Sequence, residues 1–431
     1  MAKLAVILNE REAREARVLS AEFDKALSSE MLFRPIISGL PPTVVTGFRK
    51  AIESHKNELQ SLLDAYEAAK AGDYSALQRR AGNDPGLSLI VGRIARGLTQ
   101  KELGRKLGLK EQQIQRYEAD RYTSISLGNF HRVASVLGMQ WTLALSDWAG
   151  SGWNVAKQIS AIEVKKIMKH ARENAWFTGS DIDGPVEEES FNYLQRYVSN
   201  HIVKYGTPTL LRTGFNVEDH SDDLLLVAWR ARVTRIAEEM LAKQQSEYNP
   251  LDISWLLELV RLSRHASGPA RARQLLHSKG ILLIVERQIP GMKVDGAAFL
   301  VNGVPVIGLT LRRDALDNFW FTLLHEVAHV ILHYRAGLNI GFFDDAEAAD
   351  IDEVEREAND FASNMLIPDE KWKRSPARIT KSAAVIEKFA QELEIHPAIV
   401  YGRIRKERND YTIFSSAIGS NQVRKHFTTE G

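Results

Sequence analysis

The stretch His325-Glu326-Val327-Ala328-His329 constrains this chain more than any other five residues. It lies inside an apolar run, from Asn318-Phe319-Trp320-Phe321-Thr322-Leu323-Leu324 to Val330-Ile331-Leu332-His333, with no Gly or Pro, and so reads as a buried helix. Residues four apart on a helix share a face, so both imidazoles can point at one metal ion. Glu326 is too far round the helix to chelate with them, but it can reach a water on the ion and take its proton. The alternative is a helix with two satisfied core histidines.

A third ligand has to come from downstream. A metzincin would need Gly and His three and six residues after His329, and Leu332 and Arg335 stand there, which excludes that class. A second helix is predicted from Ile351 to Leu366, stopped by Pro368, with Val354, Ala358, Phe361, Ala362 and Met365 as its buried stripe. Glu355 lies beside that stripe and would complete two His plus one carboxylate, leaving a fourth position for water. Glu357 is the rival ligand. It points about 200° round the helix from Glu355, so only one of them can face the ion. Asn359, one turn beyond Glu355, could hydrogen-bond a ligand His from behind. From Asp344 to Asp360 there are nine acidic residues and one Arg, so most of these carboxylates must be surface.

Phe321-Thr322-Leu323-Leu324-His325-Glu326-Val327-Ala328-His329 with Leu332-His333, then Glu355-Arg356-Glu357-Ala358-Asn359-Asp360-Phe361-Ala362 and Leu366-Ile367-Pro368, resembles the ImmA/IrrE family of metallopeptidases over about Pro269 to Arg405. The resemblance implies a gluzincin-like Zn2+ peptidase, of a family whose members cut a partner helix-turn-helix repressor in bacterial or phage stress regulation. It places the metal ligands at His325, His329 and Glu355, and the base at Glu326. Mn2+ is also compatible with such ligands. Val327-Ala328 departs from the family's frequent Gly without touching the chemistry. No residue stands out as an oxyanion stabiliser; Tyr334, His396 and Tyr401 are the candidates.

Ahead of the metal helix, Ile281 to Glu286 reads as a buried strand. Ala297 to Val301, Asn302-Gly303 and Val304 to Leu311 read as a hairpin, since Asn-Gly suits a two-residue turn. Asp314 is expected to cap the metal helix. The hairpin offers an edge on which a peptide could lie extended, or an ordinary sheet edge.

A second constellation lies upstream. Leu98 to Gly108 gives a short helix, Leu109-Lys110 a turn, and Glu111 to Glu118 a second helix. Leu103, Leu107, Leu109, Ile114 and Tyr117 would pack across the turn, with Gly104 permitting close approach and Gly108 a left-handed turn. This resembles the Xre/Cro-type helix-turn-helix over about Leu87 to Met139, which makes Glu111 to Arg116 the recognition helix. Gln112, Gln113 and Arg116 are then the expected base readers, because amides pair with adenine and Arg with guanine. Gln100 would sit at a helix start near phosphate. Arg93 to Arg121 carries eight basic and four acidic residues, net +4, against −8 over Asp344 to Asp360. The whole-chain charge of +1 hides a split that favours a double-stranded DNA operator at one end only. A protein-binding helix-turn-helix is the alternative.

Asn9 to Ser28 and Thr43 to Ala71 read as two helices around Pro41-Pro42. Val45, Phe48, Ile52, Leu59, Leu62 and Tyr66, interrupted by His55, favour a hairpin packed within the chain, although the same stripe could close a homodimer. In arrangement this is similar to HigA-type antitoxins. Ala149-Gly150-Ser151-Gly152 reads as a linker. The stretch from Trp153 to His265 is helical, with Ile162, Ile167, Leu194, Val198, Leu226, Trp229, Val233, Ile236 and Met240 at helix spacing, and reads as scaffold. There is no apolar run of about 18 residues and no signal-like start, which points to the cytoplasm and away from membranes. Cys is absent, which excludes disulfides and thiolate ligands.

The expected fold is α+β and mainly helical, with a small sheet in the C-terminal third. The expected organisation is a helical N-terminal region (1–80), a DNA-binding domain (81–148), a helical connecting domain (153–265), a peptidase domain (266–410) and a tail (411–431). The expected function is a DNA-binding transcriptional regulator fused to a zinc metalloendopeptidase. Its protein substrate would be a repressor or a toxin-antitoxin partner. The alternative is a HigA-like antitoxin or repressor whose metal domain is sensory or structural.

Overall fold

The computed structural model describes residues 6–82, 84–140, 161–176, 194, 197, 198, 201, 221–243, 247–334 and 348–427. The expected linker Ala149-Gly150-Ser151-Gly152 lies outside the described residues. The chain divides into two units: Met1–Ser28 with Glu53–Gly152, and Ser29–Ile52 with Trp153–Gly431. Its architecture is α+β and mainly helical, with one small sheet.

In the first unit, helix α1 (Glu10–Ser28) pairs with the later part of α3 (Pro42–Lys70) as the expected hairpin. Lys56 meets Asp24 at 2.5 Å and Arg17 meets Glu67, which fixes the two helices antiparallel. Phe23, Leu59, Leu62 and Tyr66 are buried along them, and His55 sits in the same stripe against the Phe23 ring. Helices α4 (Ser75–Ala81), α5 (Pro85–Ala95), α6 (Gln100–Leu107), α7 (Glu111–Ala119) and α8 (Leu127–Val136) follow.

The α6–α7 turn forms for the reasons the sequence suggests. Gly108 takes φ 68°, a left-handed cap. A Cβ on Gly104 would come within 2.9 Å of the Leu109 carbonyl oxygen, so only Gly allows this approach without a shift. Thr99 and Glu102 close a capping box at the start of α6. Leu103, Leu107, Ile114 and Tyr117 are buried, while Leu109 is only half-buried.

The second unit holds a helix the sequence reading passed over, α2 (Glu30–Ile37), which lies between Ser29 and the Pro41-Pro42 step. Ser29 caps it, and Phe33 stacks on Phe48 at 5.9 Å, which offsets the hydrogen bond lost at Pro35. The other elements of this unit are α9 (Ala161–Glu173), α10 (Ser221–Lys243), α11 (Leu256–Arg261), α12 (Gly268–Ser278), β1 (Leu282–Val285), β2 (Gly296–Val301) and β3 (Val304–Leu309). After the sheet come α13 (Leu316–Leu332), α14 (Ala348–Leu366), α15 (Asp369–Arg374), α16 (Ala383–Glu392) and α17 (Pro397–Arg408).

The sheet order is β1-β3-β2, with β1 parallel and β2 antiparallel to β3. Asn302 and Gly303 take φ 50° and 82°, as a two-residue hairpin turn requires. One face of β2 and β3 packs on α9 and α10. Ile167, Leu224, Trp229 and Val233 share a core with Phe299, Val301 and Val306, so these helices and the sheet are one packed body. Gly308 makes room for the Trp229 ring, which a Cβ there would meet at 2.7 Å. The other face receives α13, which also packs against α14 and α17.

Asp314 does not cap α13. Its Oδ1 accepts instead from the backbone N–H groups of Val423 and Arg424, at 2.8 and 3.1 Å. The start of α13 is closed by distant backbone: the N–H of Leu316 donates to the carbonyls of Ile418 and Gly419, and that of Asp317 to Ile418. Phe427 lies against Phe319, and Arg424 donates to the Leu311 carbonyl. Residues 418–427 therefore act as the cap that a side chain usually provides.

Candidate functional site

Helix α13 is apolar on every side because the sheet, α14 and α17 surround it, and this burial carries its polar residues into the interior. His325, Glu326 and His329 are 4%, 3% and 2% exposed. Buried polar groups persist only where partners satisfy them, so their neighbours define the site.

The three residues expected to converge do so. His325 Nε2 and His329 Nε2 are 3.1 Å apart, and Glu355 on α14 reaches them at 3.2 and 3.4 Å. Their ligand atoms form a group able to hold a metal ion. A tetrahedral ion with bonds of about 2.0–2.1 Å separates its ligand atoms by about 3.3 Å, so the donor set fits one. Burial pushes the His329 imidazole down to about 4, leaving it neutral as a ligand must be. Burial opposes ionisation of Glu355, yet the His325 imidazole beside it holds its carboxyl down to about 2.

Glu357, the rival ligand, faces elsewhere. It accepts from His333 at 3.0 Å and from Lys50 at 2.8 Å. Asn359 stands beside His325 and favours its charged form, but among the described residues His325 Nδ1 has no hydrogen-bond partner.

Glu326 lies on the sheet side of α13. Burial pushes its carboxyl up to about 8, against the pull of His325 and of the Ala298 N–H that donates to it. In the hairpin, Val301 and Val304 form the closing hydrogen-bonded pair, so the N–H groups of Ala298 and Leu300 point away from β3. Gly296 makes room here: a Cβ on it would meet Glu326 Oε1 at 2.8 Å. The sequence reading missed Gly296, and its one signal was a Gly just before a strand.

A raised carboxyl pKa costs stability at high pH. The contribution is full below about 4.5 and is lost as the pH rises through about 8. In the metal-free chain, Glu326→Gln is therefore expected to match wild type near pH 5 and to be more stable by roughly a few kcal/mol near pH 9. Thermal unfolding at the two pH values checks this, and an equal effect at both would refute it.

Three oxyanion candidates are otherwise engaged. The Tyr334 hydroxyl donates to the Gly303 carbonyl, His396 caps α17, and Tyr401 is buried against Phe414.

In the other unit, Gln112 and Arg116 are exposed on α7. Gln113 is half-buried and donates to the Tyr117 hydroxyl. Gln100 does open α6, but its amide donates to Glu118 at 2.7 Å. That carboxylate also receives Arg93 at 2.5 and 2.8 Å, in a pair only 5–7% exposed. Arg93 further donates to the Leu98 and Leu8 carbonyls, so α7 is locked to α5 and to the segment before α1.

Among the described residues, no helix is long and apolar enough to cross a membrane. No curated protein and no solved structure matches the chain. Residues 277–405 match the family model of the IrrE N-terminal-like domain, a peptidase family, and residues 92–142 match that of the helix-turn-helix. The chain thus joins a helix-turn-helix DNA-binding domain to an IrrE N-terminal-like domain of metallopeptidase type.

Proposed function

We propose that this protein is a DNA-binding transcriptional regulator and a zinc-dependent endopeptidase that cuts a regulatory protein, a repressor or a toxin-antitoxin partner, in a stress or phage response. The observation that carries the reading is the convergence of His325, His329 and Glu355 beside a buried carboxylate, Glu326, on one side of a sheet edge. A purely structural site needs no neighbouring base and usually closes its fourth position with a protein ligand.

His325, His329 and Glu355 would hold the ion. Bound Zn2+ would supply a Lewis acid for the peptide carbonyl and an acidified water. Glu326 accepts the proton of the attacking water and passes it to the leaving amine, a role suited to a carboxyl whose burial favours holding a proton. The outward N–H groups of Ala298 and Leu300 offer an extended substrate main-chain hydrogen bonds. A peptide laid on this edge competes with Glu326 for the Ala298 N–H.

The experiment is to add Zn2+ to metal-free protein with and without the candidate partner and to map fragments by mass. About one Zn2+ per chain is expected, and His329→Ala should empty the site. Wild-type protein that binds Zn2+ but cuts neither itself nor the partner would refute the peptidase reading and leave the regulator. Retained Zn2+ in Glu355→Ala with loss in Glu357→Ala would show that the wrong glutamate had been assigned.

For the DNA-binding unit, Arg116→Ala is expected to cost about 1–3 kcal/mol at the cognate operator and to relax its sequence preference, as loss of a guanine contact does. The exposed Lys106 would contact phosphate, so Lys106→Ala should weaken all sequences alike and lower the salt slope. Binding isotherms at several salt concentrations distinguish the two, and identical behaviour of both variants would misplace the recognition helix.

A further inference from the structure

We propose that His333 and Glu357 form a positioning chain that fixes His329 in the tautomer a metal ion needs, with Lys50 holding its outer end. The inference rests on the metal-site reading above and adds to it the residues that prepare one ligand.

The contacts run in a line. His329 Nδ1 lies 3.3 Å from His333 Nδ1, and His333 Nε2 lies 3.0 Å from Glu357 Oε2. The other oxygen of Glu357 accepts from Lys50 at 2.8 Å. Donor and acceptor roles follow from the outer end. A carboxylate paired with an ammonium can only accept, so His333 Nε2 carries a proton and donates it. The one arrangement of this line that also suits an ion at His329 Nε2 has His333 Nδ1 accepting from His329 Nδ1–H. In neutral His329 this leaves Nε2 bare, and Nε2 is the atom that faces His325 and Glu355. A bare nitrogen 3.4 Å from a carboxylate oxygen is an arrangement that a cation satisfies.

His325 Nδ1 makes no hydrogen bond among the described residues, and Asn359 stands beside that ring in place of a line of contacts. The outer end of the chain is built from the N-terminal part of α3: Gly47 faces the Leu332 side chain at the end of α13, and Lys50 lies one turn further on. Segment 29–52 belongs to the same unit as the metal helix, so a residue placed ahead of the helix-turn-helix completes the surroundings of the ion.

The sizes should fall along the line. Lys50 is 67% exposed at its side chain, so its ion pair contributes little, whereas His333 is buried and has no substitute. Zn2+ affinity of the full chain is read by competition with a chromophoric chelator, and the histidine tautomers of the metal-free chain by 15N NMR. His333→Phe is expected to weaken Zn2+ binding by about 10–100-fold and Glu357→Ala by about 10-fold. Glu357→Gln, whose amide oxygen still accepts, should stay within about threefold of wild type, and Lys50→Ala within about fivefold with the difference vanishing at high salt. The His329 signal should report Nδ1–H in wild type and shift toward Nε2–H in Glu357→Ala.

Should His333→Phe fail to fold, the half-exposed Glu357→Ala still decides the matter. Zn2+ affinity within about twofold of wild type in the foldable variants, while Glu355→Ala loses the ion, would overturn the positioning chain and leave the metal site standing. Wild-type protein that binds no Zn2+, or Zn2+ retained in both His329→Ala and Glu355→Ala, would overturn the metal-site reading and the chain with it.

Discussion

Replacing Glu326 by Gln is expected to lower peptide cleavage by about 10²–10⁴-fold while Zn2+ stays at about one per chain. The amide preserves the shape of the carboxylate and can still accept from the Ala298 N–H, so the packing of α13 on β2 should survive. What it cannot do is take a proton. Metal content and cleavage should therefore separate in this variant, whereas His329→Ala should lose both together. The comparison needs a metal assay and a fragment assay on the same preparations. Loss of Zn2+ in Glu326→Gln would make Glu326 a ligand and not a base, and undiminished cleavage would remove it from the chemistry altogether.

Arg93→Ala is expected to destabilise the DNA-binding unit by about 3–5 kcal/mol, a large share of the roughly 5–15 kcal/mol that holds a domain folded. The substitution strands Glu118 as a buried charge with the Gln100 amide as its remaining hydrogen-bond partner among the described residues, and it frees two backbone carbonyls, those of Leu98 and Leu8. Because Glu118 lies on α7, operator binding should fall with stability even though Arg93 points inward. Replacing both partners with apolar residues of similar volume, Arg93→Met with Glu118→Leu, should restore most of the stability, since no unpaired charge then remains inside. Urea unfolding of the three proteins tests the argument. A single variant that loses less than about 1 kcal/mol would show the pair to be no more than a surface-like contact.

Much of this molecule could be read from periodicity. The helix around His325, the Asn-Gly hairpin and the α6–α7 turn are local decisions, made by residues within a few positions of each other. The gathering of His325, His329 and Glu355 was legible for the same reason, because i and i+4 spacing fixes two of the donors before any tertiary contact is known. What could not be read depends on partners far away in the chain. Asp314 looked like a helix cap because it precedes an apolar helix, yet its carboxylate serves residues more than a hundred positions later, and the helix is closed by carbonyls from there. Glu357 looked like a rival metal ligand, while its partners are a histidine just past the end of α13 and a lysine near the other end of the sequence. Helix α2 was missed because Pro35 reads as a break, although the Phe33–Phe48 stack outweighs that signal. Arg93 and Glu118 entered the charge count that favoured DNA, yet the two pair with each other in the interior.

The closure of the metal helix by residues 418–427 bears on how a minimal peptidase could be cut from this chain. The family match ends at residue 405. A fragment trimmed there would keep every residue assigned to the chemistry and still leave the first two N–H groups of α13 without their acceptors and Phe319 without its cover. Fraying would start at the end of α13 away from His325 and His329 and would loosen the spacing of the two histidines. The boundary of sequence similarity and the boundary of the cooperative unit are thus different lines in this protein, and the second takes in residues 418–427.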